Sequence, residues 1–443
     1  MSERLLSVGL DVGTSSTQMI LSELKVENQA GAFSVPEMQI AERKILYRGE
    51  VHFTPLLGGD LVDAAALRKL IEEDYRAAGI RREDVDTGAV IITGETSRKE
   101  NARAVLAELS GFAGDFVVAT AGPHLESVLA AKGAGAVAYS RQTGIRVLHM
   151  DIGGGTSNLA LIEDGRIIRT GCMNVGGRLL KFDENGIVTY ISPVLEGICS
   201  LKTGQKAAQH EVAAVAETLV QALEMAAGLR EKSKLLEKLW TKESGEPWEE
   251  IPENVTLSFS GGVADCIQKE LPWLTYGDMG PVLGQAIRKS RLCREDYVLG
   301  SETIRATVIG AGCHSTQLSG STVFYQNVAF PLQNVPVVTS LDGLEQQETA
   351  AIFAMAGQIA PTYSEIIRLA GEIAAGFEDK PVYVCLERDM AKALGQALAV
   401  RLGKDRSILC IDRVKLEEGS YLDVGAPVGP ALTVVVKTLV LER

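Results

Sequence analysis

Short apolar runs that end in an aspartate and a small-residue turn occur twice along this chain. The first run, Leu5–Val12, contains Asp11 and is followed by Ser16–Leu24, while the second, Arg146–Asp151, is followed by Asn158–Ile162. Short apolar runs bounded by Gly, Ser and Thr are typical of buried strands, so each unit predicts a β-hairpin. The two sequences, DVGTSSTQMI and DIGGGTSNLALI, form a weak internal repeat that predicts two lobes of common topology.

The rest of the chain alternates predicted strands with predicted helices, which is the order expected of an α/β protein. Further predicted strands are Lys44–Phe53, Thr87–Thr93, Phe116–Ala119, Arg166–Thr170, Val255–Phe259, Pro381–Leu386, Ile408–Asp412 and Leu432–Leu441. Helices predicted largely from apolar positions with a period near 3.6 are Asp60–Ala78, Arg98–Leu109, His124–Ala131, Glu211–Leu239, Ala264–Leu271 and Asp389–Leu402. The predicted parts are residues 1–145, residues 146–320 with an insert at about 178–250, and an additional α/β region at 321–443.

Composition excludes several classes of protein. The net charge is −13 and no Lys/Arg cluster is present, so nucleic acid is not a predicted partner. The seven cysteines show no CxxC spacing and the five histidines are scattered, which predicts neither a disulfide framework nor a structural zinc site. No apolar stretch of about 20 residues exists, and the N-terminal apolar run is too short for a signal peptide. The sequence therefore predicts a cytoplasmic protein without a membrane partner.

The first turn has the composition of a phosphate-binding loop. Gly13 lets backbone N–H groups approach an oxyanion closely, and Thr14, Ser15 and Ser16 add hydroxyl donors. A carboxylate repels phosphate, so the predicted catalytic role of Asp11 is to hold water around Mg²⁺. An ordinary polar β-turn is the alternative interpretation of these residues.

The second turn contains more glycine than a hairpin requires. Gly153, Gly154 and Gly155 follow one another at a cost in backbone entropy, which suggests backbone pressed against a ligand. Thr156 adds a hydroxyl, and Asp151 repeats the metal-binding and catalytic position of the first aspartate. A loose hairpin is the alternative.

A third turn, in SFSGGVADC, joins a buried strand to a helix. Gly261 and Gly262 have no side chain that would block a flat adenine ring. Strand–Gly–Gly–helix turns are common, so this segment is weak evidence when taken alone.

The order of the three turns resembles the actin-like ATPase superfamily, which includes actin, heat-shock chaperones, sugar kinases and exopolyphosphatases. The resemblance implies an α/β, actin-like (ribonuclease H-like) two-lobed ATPase fold with ATP and Mg²⁺ as cofactors. The resemblance also implies that Gly176 and Gly177 start a helix near the phosphates. It also implies connecting helices at Lys132–Ser140 and at Ile309–Cys313, with Gly310 near the nucleotide.

Superfamily members that hydrolyse ATP often carry an acid or a glutamine at the start of the first connecting helix, where it positions the attacking water. Alignment on the small residues places Ala131 or Lys132 there, which predicts slow hydrolysis or a different catalytic group. The candidates are Glu126, about one helical turn upstream, and Glu95, which follows a strand. A solvated surface glutamate is the alternative for each.

Nearly the whole chain resembles the reactivating factors of ethanolamine ammonia-lyase from bacterial ethanolamine utilisation. The matching stretches are ITGETSRKENA, ATAGPHLESVLAAKGAGA, DIGGGTSNLALI, SGGVADC, YGDMGPVLG, VIGAGCHSTQLSGST and YLDVGAPVGP. The resemblance implies a chaperone-like ATPase whose partner is ethanolamine ammonia-lyase, a cobalamin enzyme. In this family ATP and Mg²⁺ are used to release damaged cobalamin, so that intact adenosylcobalamin can rebind. Entry into a bacterial microcompartment is left open.

Two other functions are compatible with the same fold. A small-molecule kinase or polyphosphatase would need a carboxylate base in the cleft, for which Glu95 is the candidate. A filament-forming scaffold would self-associate when ATP is added.

Overall fold

A computed structural model describes most of the chain. It covers residues 3–13, 16–28, 38–57, 61–92, 105, 118–120, 123–314, 316–319, 322–345, 350–358, 361–377, 379–416, 420–428 and 431–438. The predicted helix Arg98–Leu109 lies outside these residues except at Val105. In the described part, no helix is both long enough and apolar enough to cross a bilayer. Five of the seven cysteines are buried and the other two are half-buried, as expected of small apolar side chains.

The first sheet, which we call the first lobe, combines an antiparallel hairpin with a parallel half. Its strands are β1 Glu3–Val12, β2 Ser16–Asn28, β3 Met38–Arg48, β4 His52–Phe53, β7 Thr87–Ile92 and β8 Val118–Thr120. Their order is β3-β2-β1-β7-β8, with β4 paired to β2. Strands β1, β2 and β3 are antiparallel, whereas β7 and β8 run parallel to β1. A short hairpin of β5 Leu56–Leu57 and β6 Leu61–Val62 precedes the helix Ala64–Ala78.

Two predictions in the first lobe are wrong in detail. The predicted strand Lys44–Phe53 is divided into β3 and β4, because the pairing with β2 shifts by one residue between Ile20–Arg48 and Thr17–His52. The predicted helix Asp60–Ala78 starts later, at Ala64. Its N-cap is Asp63, whose carboxylate accepts from the third backbone N–H of the helix.

The second sheet, which we call the second lobe, repeats the strand order of the first. Its strands are β9 Arg146–Ile152, β10 Ser157–Glu163, β11 Arg166–Met173, β14 Val255–Ser260 and β15 Tyr297–Leu299. The order is β11-β10-β9-β14-β15, again antiparallel through the first three strands and parallel through the last two. Both lobes therefore share one topology, as the sequence repeat predicts, and it is the ribonuclease H-like topology that the superfamily resemblance implies.

The chain between β11 and β14 packs onto the second lobe and shares its core. It contains β12 Leu180–Phe182, β13 Val188–Ile191 and the helices Gln209–Ala226 and Lys234–Leu239; the helices Gly262–Gln268 and Gly280–Lys289 follow β14. Apolar side chains of this segment join those of β9, β10 and β14 in one cluster. The prediction of a single helix at Glu211–Leu239 is wrong, because the chain leaves the helix at Gly228, where φ is +73°.

The third sheet forms a C-terminal unit of mixed topology. Its strands are β16 Thr316–Leu318, β17 Phe324–Gln326, β18 Leu332–Val338, β19 Ile352–Met355, β20 Val382–Leu386, β21 Ile408–Asp412, β22 Ser420–Val428 and β23 Ala431–Thr438, and its helices are Leu341–Glu345, Tyr363–Phe377 and Ala391–Leu402. The order is β16-β23-β22-β18-β19-β20-β21-β17. Since β16 pairs with β23, we propose domain boundaries near residue 145 and just before Thr316, slightly earlier than predicted.

Two connecting helices, Pro123–Gly133 and Ala306–His314, cross at the centre of the molecule. A Cβ built on Gly310 would lie 2.1 Å from Leu129 O, and one built on Gly133 would lie 1.8 Å from Ala306 O. Only glycine permits such an approach of two backbones. The prediction that Lys132–Ser140 is the first connecting helix is wrong, because that segment spans a helix end, a turn and the separate helix Ala136–Thr143.

We expect Gly310→Ala to destabilise the protein, because the added methyl meets a backbone carbonyl that cannot rotate away. Overpacking of this kind typically costs about 1–3 kcal/mol. The measurement is the free energy of unfolding in denaturant. Gly371→Ala is the matched control, since that glycine is also helical and its added Cβ would meet only the Arg401 guanidinium at 3.5 Å. An equal effect of the two substitutions would contradict the proposed role of the crossing.

Candidate nucleotide-binding cleft

A cleft of about 250 Å³ lies between the two lobes. It brings together residues that the sequence predicts from five separate segments of the chain. Those that line it are Asp11, Gly13, Ser16, Glu126, Asp151, Gly153, Gly154, Gly155, Thr156, Gly177, Gly261 and Gly262. The predicted phosphate loops and the predicted adenosine loop thus share one space.

Other predicted residues are not placed on this lining. Thr14, Ser15 and Glu95 lie outside the described residues. Gly176 packs behind the second phosphate loop, where a Cβ would lie 2.3 Å from Gly154 O. Gly310 lies where the two connecting helices cross. Its lack of a side chain lets these helices pack closely.

The two phosphate loops close with the same backbone hydrogen bond. The N–H of Gly13 donates to Ser16 O at 2.9 Å, and the N–H of Gly153 donates to Thr156 O at 2.9 Å. The donor is two residues and the acceptor five residues after the aspartate in both loops. The sequence repeat is therefore also a repeat of loop geometry.

Each loop is also held from outside. The Thr54 hydroxyl donates to Gly13 O at 2.8 Å, which ties the first loop to the segment after β4. In the second lobe the N–H of Gly177 donates to Gly153 O at 3.0 Å. The N–H of Arg178 donates to Gly154 O at 2.6 Å. These contacts fix the loops before any ligand is bound.

Asp151 is a buried carboxylate at the end of β9. Its Oδ1 accepts a short hydrogen bond from the Ser260 hydroxyl, and its Oδ2 accepts one from the Thr307 hydroxyl at 3.5 Å. Burial raises the pKa of Asp151 to about 6, although both hydroxyl contacts oppose that rise. The carboxylate is thus charged at neutral pH at an energetic cost that a nearby cation would relieve.

A buried histidine supports this aspartate through Ser260. His149 Nε2 lies 2.9 Å from the Ser260 hydroxyl, and its Nδ1 lies 3.1 Å from the hydroxyl of Ser258. Burial lowers the pKa of His149 to about 3, so the ring is neutral. Since Ser260 donates its proton to Asp151, Nε2–H donates to Ser260 and Nδ1 accepts from Ser258. Every donor in this series of hydrogen bonds therefore points toward the carboxylate of Asp151.

Two carboxamides that sequence reasoning missed complete the lining. Gln18 and Asn158 are both buried, line the cleft and stand opposite Asp11 and Asp151 in their hairpins. Gln18 Nε2 donates to Ile304 O at 3.2 Å. Gln18 Oε1 and Asn158 Oδ1 find no hydrogen-bond partner among the described residues. Their equal spacing, seven residues after each aspartate, is the sequence signal that would have identified them.

These groups fit a hydrated Mg²⁺ ion. Carboxylate and carboxamide oxygens are the hard donors that Mg²⁺ prefers, and two of the oxygens present are buried with no hydrogen-bond partner in the described part of the chain. The described residues contain no group of three or more His, Cys, Asp or Glu side chains that could hold a metal alone. An ion carried largely by water and by the phosphates of a ligand is therefore the arrangement that suits this cleft.

Glu126 lies in the first turn of the first connecting helix, because that helix begins at Pro123. The predicted alignment of Ala131 or Lys132 with the helix start is thus wrong, and an acidic residue does occupy that position. Glu126 is buried, and its Oε2 accepts from Asn158 Nδ2 at 2.8 Å. It is a lining residue of the cleft and not a solvated surface side chain.

The third turn, which the sequence predicts to lie beside adenosine, lines one side of the cleft. Gly261 has φ of +86°, and a Cβ there would lie 2.3 Å from Ile152 O, so glycine is required. Gly262 starts the helix Gly262–Gln268. Tyr276, which is about half exposed, and Cys266 line the same cleft.

Sequence comparison assigns the whole chain to one family. The family described as "Ethanolamine utilisation protein EutA" matches residues 3–442. The chain belongs to the EutA family. A relative from Salmonella typhimurium, "Ethanolamine ammonia-lyase reactivase EutA", is 37% identical over a gapped alignment of 474 positions that covers 99% of this chain and 99% of the relative. The relative of the same description from Escherichia coli is 37% identical over a gapped alignment of 471 positions, which again covers 99% of each chain.

A solved structure of a Ppx/GppA family member from Aquifex aeolicus also aligns with this EutA family chain. It covers 70% of this chain and 97% of its own, at 12% identity and a TM-score of 0.43. At this low identity and TM-score, the structural similarity provides no evidence for the fold beyond the strand order of the two lobes.

We expect Asp151→Asn to stabilise the ligand-free protein at pH 8 and to remove its stabilisation by MgATP. The native pKa of about 6 exceeds the unfolded value of about 3.9, so the native state binds this proton more tightly. The charged carboxylate therefore destabilises the native state above about pH 6, and the penalty disappears as the pH falls toward 4. Asparagine removes the charge but keeps the acceptor for Ser260.

Thermal unfolding with and without MgATP, at pH 8 and at pH 5, measures both effects. The gain in unfolding temperature from the substitution is expected to be larger at pH 8. A variant that is equally destabilised at both pH values, or that retains the full MgATP shift, would contradict this account of Asp151.

Proposed function

We propose that this protein is an ATP-dependent, chaperone-like reactivating factor for ethanolamine ammonia-lyase. The observation that carries the proposal is the match, over 99% of both chains, to two relatives described as ethanolamine ammonia-lyase reactivases. The reactivation consists of releasing damaged cobalamin from the inactive lyase, after which intact adenosylcobalamin rebinds.

The cleft supplies the nucleotide chemistry in this proposal. Asp11 and Asp151 orient the water shell of Mg²⁺, which offsets the charge on the phosphates when bound. Backbone N–H groups of the two glycine loops and the hydroxyls of Ser16 and Thr156 hold the phosphates. Gly261 and the residues around it accept the adenosine.

Glu126 is the proposed general base or water-positioning group for hydrolysis. Its place in the first turn of the connecting helix puts its carboxylate on the cleft lining, and the hydrogen bond from Asn158 fixes its orientation. A positioned carboxylate typically contributes about 10²–10⁴-fold to the rate of such a step.

The crossing of the connecting helices supplies the mechanical coupling. Both lobes contribute phosphate-binding groups, so the number of contacts a nucleotide makes depends on the angle between the lobes. ATP and ADP then stabilise different lobe angles, and each angle favours a different state of the bound lyase. Nucleotide binding changes the state of the bound lyase only through this difference in contacts.

A small-molecule kinase or polyphosphatase is the less favoured function. Glu126 could serve as a base in either case, so the cleft alone does not separate the two. The two full-length relatives favour the reactivating function, because both are described as ethanolamine ammonia-lyase reactivases.

We expect recovery of lyase activity to require this protein and MgATP together. Ethanolamine ammonia-lyase inactivated with cyanocobalamin is mixed with the protein, with or without MgATP, and activity is measured after adenosylcobalamin is added. Asp11→Asn is expected to abolish recovery, since it disrupts the magnesium site. Recovery that is independent of MgATP, or equal with the variant, would exclude the proposed function.

We expect Glu126→Gln to lower ATP hydrolysis by about 10²-fold or more while MgATP binding is retained. Glutamine keeps the oxygen that accepts from Asn158 but cannot take up a proton. Phosphate release under steady-state conditions and calorimetric titration with MgATP separate the two effects. Undiminished hydrolysis would remove Glu126 from the mechanism.

A further inference from the structure

The charge on the cleft lining is strongly one-sided. Among the described lining residues, Arg178 is the single cationic side chain, whereas five are carboxylates: Asp11, Glu126, Asp151, Asp265 and Asp278. A nucleoside triphosphate adds several more negative charges, which one Mg²⁺ ion neutralises only in part. Among the described lining residues, Arg178 is therefore the side chain whose charge suits a place near the phosphates.

The backbone places Arg178 beside the second phosphate loop. Its N–H donates to Gly154 O at 2.6 Å, directly after the Gly177 N–H bond to Gly153 O. A shift of the loop on ligand binding would thus be passed directly to Arg178. Asp278 is its partner in the second lobe, with Arg178 Nε 3.2 Å from Asp278 Oδ2.

The ion pair with Asp278 uses only part of the guanidinium. The group carries five N–H donors, of which the one on Nε points to Asp278. Its Nη groups donate to no acceptor in the described part of the chain. Guanidinium donors match phosphate oxygens in pairs, so the remaining edge is suited to a phosphate group.

The same guanidinium also contacts the other lobe. Arg178 Cζ lies 5.6 Å from the ring centroid of Phe53, which is a cation–π distance. Phe53 is 78% exposed and sits in β4, opposite Ser16 of the first phosphate loop. The next residue, Thr54, donates to Gly13 O of that loop. Arg178 thus forms an ion pair within the second lobe and a cation–π contact with the first lobe.

We propose that Arg178 binds the terminal phosphate of the nucleotide and that its contact with Phe53 transmits this binding to the first lobe. The cation–π contact with Phe53 uses no N–H donor, so Arg178 can contact a phosphate and Phe53 at once. A terminal phosphate fixes the guanidinium plane and thereby strengthens the cross-lobe contact, whereas ADP leaves that plane less constrained. This inference rests on the proposed ATP-dependent function and names the residue that distinguishes ATP from ADP.

The binding test uses the full-length protein and calorimetric titration with the magnesium complexes of a non-hydrolysable ATP analogue and of ADP. Arg178→Gln is expected to weaken binding of the analogue by about 10- to 100-fold, the loss typical of a charge-assisted hydrogen bond, and to weaken ADP much less. Arg178→Lys is expected to retain part of the selectivity because it keeps the charge.

Arg48→Gln is the matched control. Arg48 also forms an ion pair, in its case with Glu302 of the other lobe, but it is not among the residues that line the cleft. It is expected to change neither affinity. Equal losses for the analogue and ADP in Arg178→Gln would overturn the inference, because a structural ion pair with Asp278 would affect both ligands alike. A wild-type protein that binds neither nucleotide would overturn the proposed function as well.

The second half of the inference is tested with Phe53→Ala, a substitution at an exposed side chain. Small-angle scattering measures the radius of gyration with the ATP analogue and with ADP. In the wild type the analogue is expected to give the more compact particle, and in the variant this difference is expected to disappear while analogue binding persists. A variant that compacts like the wild type would overturn the role of Phe53.

Discussion

The close crossing of the two connecting helices is the constraint on which the rest of the structure depends. Gly133 and Gly310 let the backbones meet at distances that any side chain would prevent. Gly9 in β1 extends the same contact, since its Cβ would lie 2.6 Å from Val308 O. Because the helices can approach so closely, the carboxyl ends of β1 and β9 face one another, and two loops far apart in sequence form one cleft.

The cleft formed in this way is electrostatically unfavourable until it is occupied. Asp151 is buried, its pKa is raised, and a chain of donors from His149 through Ser260 holds its carboxylate in place. The carboxamide oxygens of Gln18 and Asn158 are buried nearby and accept no hydrogen bond from the residues that the structure describes. Such groups reduce stability in the absence of ligand, and a magnesium nucleotide would compensate each of them. The groups that destabilise the ligand-free protein would therefore favour binding of a magnesium nucleotide.

The parts predicted from the sequence are those determined locally. Each Asp–Gly turn is specified by its own residues, so the loops, the strands beside them and the repeat were predictable. Gln18 and Asn158 were missed because their importance depends on pairing across a hairpin, and Arg178 because its partner Phe53 lies over 100 positions away. The first connecting helix was misplaced because small residues mark both the crossing and the turn at Gly135, so periodicity alone could not separate them.

The most direct test of the account is the position of the metal in crystals grown with Mn²⁺ in place of Mg²⁺ and a non-hydrolysable ATP analogue. The account predicts one anomalous peak between the carboxylates of Asp11 and Asp151, with the phosphates against Gly13 and Gly153. A nucleotide bound outside the inter-lobe cleft, or a metal remote from both aspartates, would contradict it.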